Sequence, residues 1–384
     1  MSVNTLDRIV RSCLSHPENA GEVKLNRTET RSSVTLYREE PSESKMSDLW
    51  DDLENFARAP STSTAASGER GTIKAKANFN VSEDVAALRK ALEGIGTTEK
   101  TLIEILTHRS SSQKQAIAKA YQEATNRILV NDLKGDTEGS LEDLLVELAR
   151  PPAVNDAKWI IKAIKGAGTN NRILIEILGS RTNKQIKELS AAYAEETKKT
   201  LVQKLKTEVS GDFGKAIILL AEGARDESTN VNADKAKEDA KALYNAGEKK
   251  MGTDESKFIE ILCKRSMPHL RQTILEYKNI SGKTLQKSIE KEMSGDLEEL
   301  LVVIVKCAMS TPAYFAEKLY KSMKGVGTDE TTLTRVMVSR GEIDMLDIRA
   351  EYKKLYRQSL YKEISSDVSG CYGDCLKMIC GGDD

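Results

Sequence analysis

From about residue 79 onward, apolar side chains recur at spacings of three and four. Val85, Leu88, Ala91 and Leu92 share one face, and Leu102, Ile103, Ile105 and Leu106 a second. Ala116, Ile117 and Tyr121 follow, then Ile128, Leu129 and Leu133, then Leu141, Leu144, Leu145 and Leu148. The alternation that a half-buried strand requires is scarce, so the pattern predicts five helices. The same order returns three more times. Thr101–Leu106 is echoed by Ile173–Leu178 and Lys257–Leu262, and more loosely by Thr332–Met337. The chain therefore reads as an all-α array of four units, each burying apolar faces partly against its neighbours.

Residues 1–78 follow another rule. Stretches such as Pro41–Ser44 and Pro60–Thr64 are rich in Ser, Thr, Glu and Pro and too poor in apolar residues to build a core, which predicts a long, largely disordered tail. Two islands within it are amphipathic. Val3, Leu6, Ile9, Val10, Cys13 and Leu14 recur at helical spacing, as do Leu49, Leu53 and Phe56 beside Trp50. The first suits either a partner's groove or the protein's own surface; the second is expected to rest on the protein's own surface.

Composition narrows the function classes. A net charge of −1 lacks the basic excess of a nucleic-acid binder. No apolar run approaches the ~20 residues that cross a bilayer, and Met1–Leu14 lacks a signal-peptide core, so a cytosolic protein with at most peripheral membrane contact is expected. Six cysteines, three of them Cys371, Cys375 and Cys380, come without a zinc-type Cys-x-x-Cys and read as reduced packing residues. His16, His108 and His269 sit in no recognisable triad or metal motif, which disfavours an enzyme.

A short glycine pattern interrupts each unit: Gly94-Ile95-Gly96-Thr97, Gly166-Ala167-Gly168-Thr169, Lys250-Met251-Gly252-Thr253 and Gly325-Val326-Gly327-Thr328. Twelve residues after each threonine stands an arginine: Arg109, Arg181, Arg265, Arg340. Thirty-nine residues after it stands an acid: Asp136, Glu208, Glu292, Asp367. With 59 acids in 384 residues, four chance hits on one position have odds of roughly five in ten thousand. The threonines, with Glu99, Glu255 and Glu330 in the following turn, are expected to cap the next helix. That does not explain the remote acid. Glycines tolerate conformations that turn carbonyl oxygens outward, and carbonyls plus one carboxylate are hard ligands that suit calcium. Three carbonyls and a bidentate carboxylate give about five oxygens where calcium takes six to eight, leaving room for an outside ligand such as a lipid phosphate. Weak affinity in free solution follows.

Residues 79–384, about four-fifths of the chain, resemble the four-repeat core of the annexins. The resemblance is carried by the glycine loops with their remote acids, by Arg150-Pro151-Pro152-Ala153-Val154, by Phe258–Cys263 and by the ending Cys380-Gly381-Gly382-Asp383-Asp384. It implies four five-helix repeats in a curved disc, at 79–150, 151–223, 237–310 and 311–384, with a linker at 224–236 and the regulatory tail at 1–78. It further implies calcium as cofactor at four loops facing anionic, phosphatidylserine-rich membranes. By position, the first site would use carbonyls of Leu92, Gly94 and Gly96 with Asp136; the second Ile164, Gly166, Gly168 and Glu208; the third Gly247, Lys250, Gly252 and Glu292; the fourth Met323, Gly325, Gly327 and Asp367. Lys165, Lys249 and Lys324 would face lipid phosphate, whereas the first loop has Glu93 at that place. Met251 stands at a loop tip where a tryptophan that can enter the bilayer occurs in the family; its thioether chain is expected to insert more weakly. The implied role is calcium-triggered, peripheral membrane organisation or trafficking and shielding of lipid from phospholipases. The alternatives are a tail adaptor that binds an EF-hand partner through residues 1–14, and, remotely, an inositol cyclic-phosphate hydrolase.

Overall fold

The computed structural model describes residue 50 and residues 69–93, 98–166, 168–249 and 252–383. All regular structure among them is helical, in nineteen helices. The first set is α1 (Val81–Glu93), α2 (Glu99–Thr107), α3 (Ser111–Thr125), α4 (Leu129–Asp136) and α5 (Gly139–Ala149). The second is α6 (Pro152–Ala163), α7 (Asn171–Ser180), α8 (Asn183–Thr197), α9 (Leu201–Glu208) and α10 (Gly211–Ala221). The third runs α11 (Ala233–Ala246), α12 (Glu255–Lys264), α13 (Met267–Ser281), α14 (Leu285–Glu292) and the first half of α15 (Gly295–Met323). The second half of α15 opens the fourth set, followed by α16 (Glu330–Gly341), α17 (Met345–Tyr356), α18 (Leu360–Asp367) and α19 (Gly370–Cys380).

α15 is continuous only in name. Ser310 leaves helical geometry (φ −162°, ψ 104°) and its hydroxyl caps the amide of Ala313, with Pro312 in the first turn of the new helix. By length and composition α15 alone among the described helices could cross a membrane, yet two thirds of its apolar stretch is buried inside the protein. It is a core helix that joins two repeats.

Local chemistry repeats with the fold. The third helices of the first three sets start at Ser110, Thr182 and Ser266, each accepting a backbone N–H three residues on. All four third helices end in the left-handed region, at Asn126, Lys198, Gly282 and Arg357. The Ser and Thr N-caps contribute about 1 kcal/mol each. Leu88, Leu102, Ile117, Leu174, Phe258, Leu270, Phe315 and Leu333 are fully buried, and one apolar cluster runs through all four sets.

The repeated arginines hold the first and second helices of a set together. Arg109 chelates Asp84 (2.6 and 2.7 Å), Arg181 chelates Asp156 (2.8 and 2.9 Å), and Arg265 reaches Asp239 (2.7 and 3.2 Å). His269 is buried here too, its Nε2 2.8 Å from Asp239 Oδ2. In the fourth set Phe315 stands twenty-five residues before Arg340, where the first two sets have aspartate. Arg340 stacks 4.6 Å from that ring and chelates Asp344 instead. Between sets, Glu176 of α7 accepts from Nε and Nη2 of Arg335 on α16, each at 2.8 Å, and from Lys318 of α15 at 3.0 Å.

The tail's end packs more closely than its composition suggests. The amides of Thr72 and Ile73 donate to the Gly341 carbonyl, Arg70 pairs with Asp347, and Ile73 is buried. Backbone hydrogen bonds to the fourth set stand in for the apolar area this segment lacks. Trp50 is buried against the protein's own helices, its indole donating to Glu317 (2.8 Å) with Lys306 4.9 Å from the ring centroid. Leu49, Leu53 and Phe56, and the island at residues 1–14, lie outside the described residues.

Candidate metal-binding loops

One backbone bond closes each loop. The residue after the threonine donates its N–H to a carbonyl in the last turn of the preceding helix: Thr98 to Ala91 (3.3 Å), Asn170 to Ala163, Asp254 to Ala246 and Asp329 to Ser322 (each 2.8 Å). The bond encloses six residues except in the third loop, where it encloses seven. That extra residue is the reason the third loop is spelled differently. Gly166 and Gly168 (φ 111° and 98°) and Gly325 and Gly327 (φ 104° and 90°) lie in backbone regions that L side chains avoid, and nothing lies within 4 Å of where a Cβ would be. Conformation, not crowding, demands glycine there.

The side chains of Leu92, Ile164 and Met323 are in the core, so only main-chain oxygen is available at those positions. Gly247 is buried beside Phe258, and Gly252 has φ 85°. Gly94, Gly96, Lys250 and Met251 lie outside the described residues. Lys165 and Lys249 are exposed; Lys324 is half-buried, 6.0 Å from the Tyr320 ring centroid. Val326, between the two glycines of the fourth loop, is completely exposed. Sequence reasoning passed over it, although an apolar residue flanked by glycines and outside any helical periodicity was the available signal.

Asp136, Glu208, Glu292 and Asp367 are each the last residue of an eight-residue helix: α4, α9, α14 and α18. The negative end of a helix dipole disfavours a carboxylate there by about 0.3–1 kcal/mol. The same unfavourable placement recurs in all four sets. The threonines tie two of these acids to their loops. Thr328 donates to the Asp367 carboxylate (2.6 Å), and Thr253 donates to the Glu292 carbonyl (3.2 Å). The expectation that the threonines cap the following helices is thereby corrected. The N-cap positions are Thr98, Asn170, Asp254 and Asp329, one residue later, and Asp329 is the one that caps, accepting from Thr332. Thr253 and Thr328 sit just outside their helices, where their hydroxyls reach across to the acid-bearing helix. Thr97 is outside the described residues.

Among the described residues no three His, Cys, Asp or Glu side chains converge. The loops thus offer main-chain oxygen plus single carboxylates, a hard donor set that suits calcium and leaves coordination positions for an external ligand.

At the other ends of α6, α7 and α16 lies a cavity of about 770 Å³ lined by Arg150, Asp156, Trp159, Arg181, Arg335 and Glu147. Burial pushes the Glu147 carboxyl up to about 7, against the opposing effects of a Trp159 hydrogen bond and the Arg335 charge. Its folded-state value therefore exceeds the unfolded one, near 4.3. The native state keeps a proton that the unfolded chain releases, so stability falls as pH rises from about 4.5 to 7 and the cost is complete above that. Glu147→Gln is expected to stabilise the protein by on the order of 2 kcal/mol near pH 8 and to do little near pH 4.5. Urea unfolding of both proteins at the two pH values measures the difference.

The Annexin family model matches residues 83–148, 155–220, 238–304 and 314–379. The chain is 55% identical to annexin A3 of Bos taurus over 317 residues, covering 83% of this chain and 98% of the relative. Annexin A11 of Homo sapiens is 48% identical over 317 residues, 83% of this chain and 63% of that protein. Among solved structures, annexin III superposes with a TM-score of 0.81 at 54% identity, covering 83% of this chain and 98% of its own. A calcium-bound annexin (Sm)1 gives 0.74 at 32% identity, covering 82% and 94%. Four matched repeats, four five-helix sets and four glycine loops agree, and the chain belongs to the annexin family.

Proposed function

We propose that this protein binds anionic, phosphatidylserine-containing membranes in a calcium-dependent manner through its four glycine loops. The observation that carries this reading is the acid at the C-terminal end of the fourth helix in every set, linked in the fourth by the Thr328 hydroxyl to a glycine loop open to solvent. A related solved structure, annexin (Sm)1, is calcium-bound.

Calcium held there would supply positive charge shared between protein oxygens and lipid phosphate. The chain's own residues do the rest. Main-chain oxygens at Leu92, Ile164, Gly247, Lys250 and Met323 and those of the loop glycines would hold the ion, with the carboxylates of Asp136, Glu208, Glu292 and Asp367 as its anionic ligands. Lys165, Lys249 and Lys324 stand at the loops to meet lipid phosphate, and Val326 to enter the headgroup region. With a net charge of −1, the protein has no overall attraction to an anionic surface, so attachment depends on the loops. Peripheral, reversible residence on cytoplasmic membrane faces, organisation of those membranes and shielding of their lipid from phospholipases follow from such binding.

Sedimentation with phosphatidylserine vesicles tests it. Binding is expected in calcium, release on adding chelator, and neither with phosphatidylcholine vesicles. Binding that persists in chelator would refute the reading.

A further inference from the structure

The four remote acids are not held alike. Glu208 is engaged by Lys204, one turn earlier on α9. Glu292 pairs with Lys291 at 2.9 Å, and the same ammonium lies 3.8 Å from Glu248 in the third loop, which Lys283 also holds at 3.1 Å. Asp367 instead takes the neutral Thr328 hydroxyl. A carboxylate at a helix C-terminus needs a counter-charge, and in the second and third sets the chain supplies its own.

We propose that Lys204 and Lys291 are built-in competitors for the second and third calcium loops, setting the calcium concentration at which those loops load above that of the fourth. The inference rests on the calcium reading above and deepens it. An ammonium on a carboxylate oxygen occupies a ligand position, and one that stays nearby repels a divalent ion. Before the oxygen can bind calcium, the lysine must leave. The Lys204 side chain is about one-third exposed and that of Lys291 more than half, so both can swing into water. A partly solvated ion pair and the residual repulsion together correspond to about a three- to tenfold change in affinity per site. At the fourth loop the hydroxyl need only rotate, and it carries no charge to repel the ion. Neutralising modification of either lysine, such as acylation, would lower the threshold of its own loop.

The test is calorimetric titration of the full chain with CaCl₂, without membranes. Lys204→Gln and Lys291→Gln together are expected to tighten two of the sites about three- to tenfold, with Lys204→Arg unchanged from the parent. Lys206→Gln, an exposed charge on the same helix, controls for mean charge. Glu208→Gln with Glu292→Gln should remove two sites. If that carboxylate pair titrates like the parent, the calcium reading itself fails. If the carboxylate pair removes two sites but the lysine pair changes affinity less than twofold, or Lys206→Gln changes it as much, the competitor proposal alone is overturned.

Discussion

Combining Asp136→Ala, Glu208→Ala, Glu292→Ala and Asp367→Ala is expected to abolish calcium-dependent sedimentation with phosphatidylserine vesicles while leaving helical content unchanged. Each acid ends its helix and is partly exposed. Removing it deletes no core contact and relieves an unfavourable helix-dipole interaction. The loops would retain neutral carbonyls only, and a divalent ion without an anionic ligand is bound far more weakly. Loss at all four loops therefore leaves no way to bridge the protein to an anionic surface. Vesicle sedimentation and far-ultraviolet circular dichroism on the same preparation give both readouts. Retained binding by a folded quadruple variant would remove these residues from the site.

The second large effect concerns stability. Arg335→Met is expected to destabilise the protein by about 3–5 kcal/mol, because it strands the Glu176 carboxylate in the interior with Lys318 alone. Burial by itself would push the Glu176 carboxyl up. Arg335 and Lys318 outweigh that and hold it far below the usual carboxylate range. A depressed value means the pair's contribution is present in full above the unfolded pKa, near 4.3, and lost on acidification below it. The destabilisation should accordingly be large near pH 7 and shrink toward pH 3, as read by urea unfolding. Adding Glu176→Leu to Arg335→Met should recover much of the loss, since an apolar pair of similar volume avoids burying a lone charge.

The pattern behind the candidate loops is legible in the sequence because it is periodic. The glycine loops and remote acids recur at one spacing, and loop closure at Ala91, Ala163, Ala246 and Ser322 follows from that repetition. The one-residue insertion in the third loop was visible only as a departure in spelling. The role of the threonines was misread, since a threonine before an acid resembles a cap locally. Its actual partner is a helix 39 residues away. Val326 was missed for a similar reason. The flanking glycines hint at a turn, but the full exposure of its side chain is a property of the folded loop.

The amino-acid order by itself determined the helices, their grouping into four sets and the placement of one acid per set. Apolar spacing of three and four and duplicated motifs are short-range information, carried within a few turns of chain. Only the tertiary structure decided which charges meet. Arg109 finds Asp84 across 25 residues, Arg335 finds Glu176 across 159, and Trp50 finds Glu317 across 267. Burial does the same for Glu147, whose proton affinity is set by the packing around it and not by its neighbours in sequence. Ion pairing and desolvation depend on distance and solvent access, and those quantities exist only once the chain has folded.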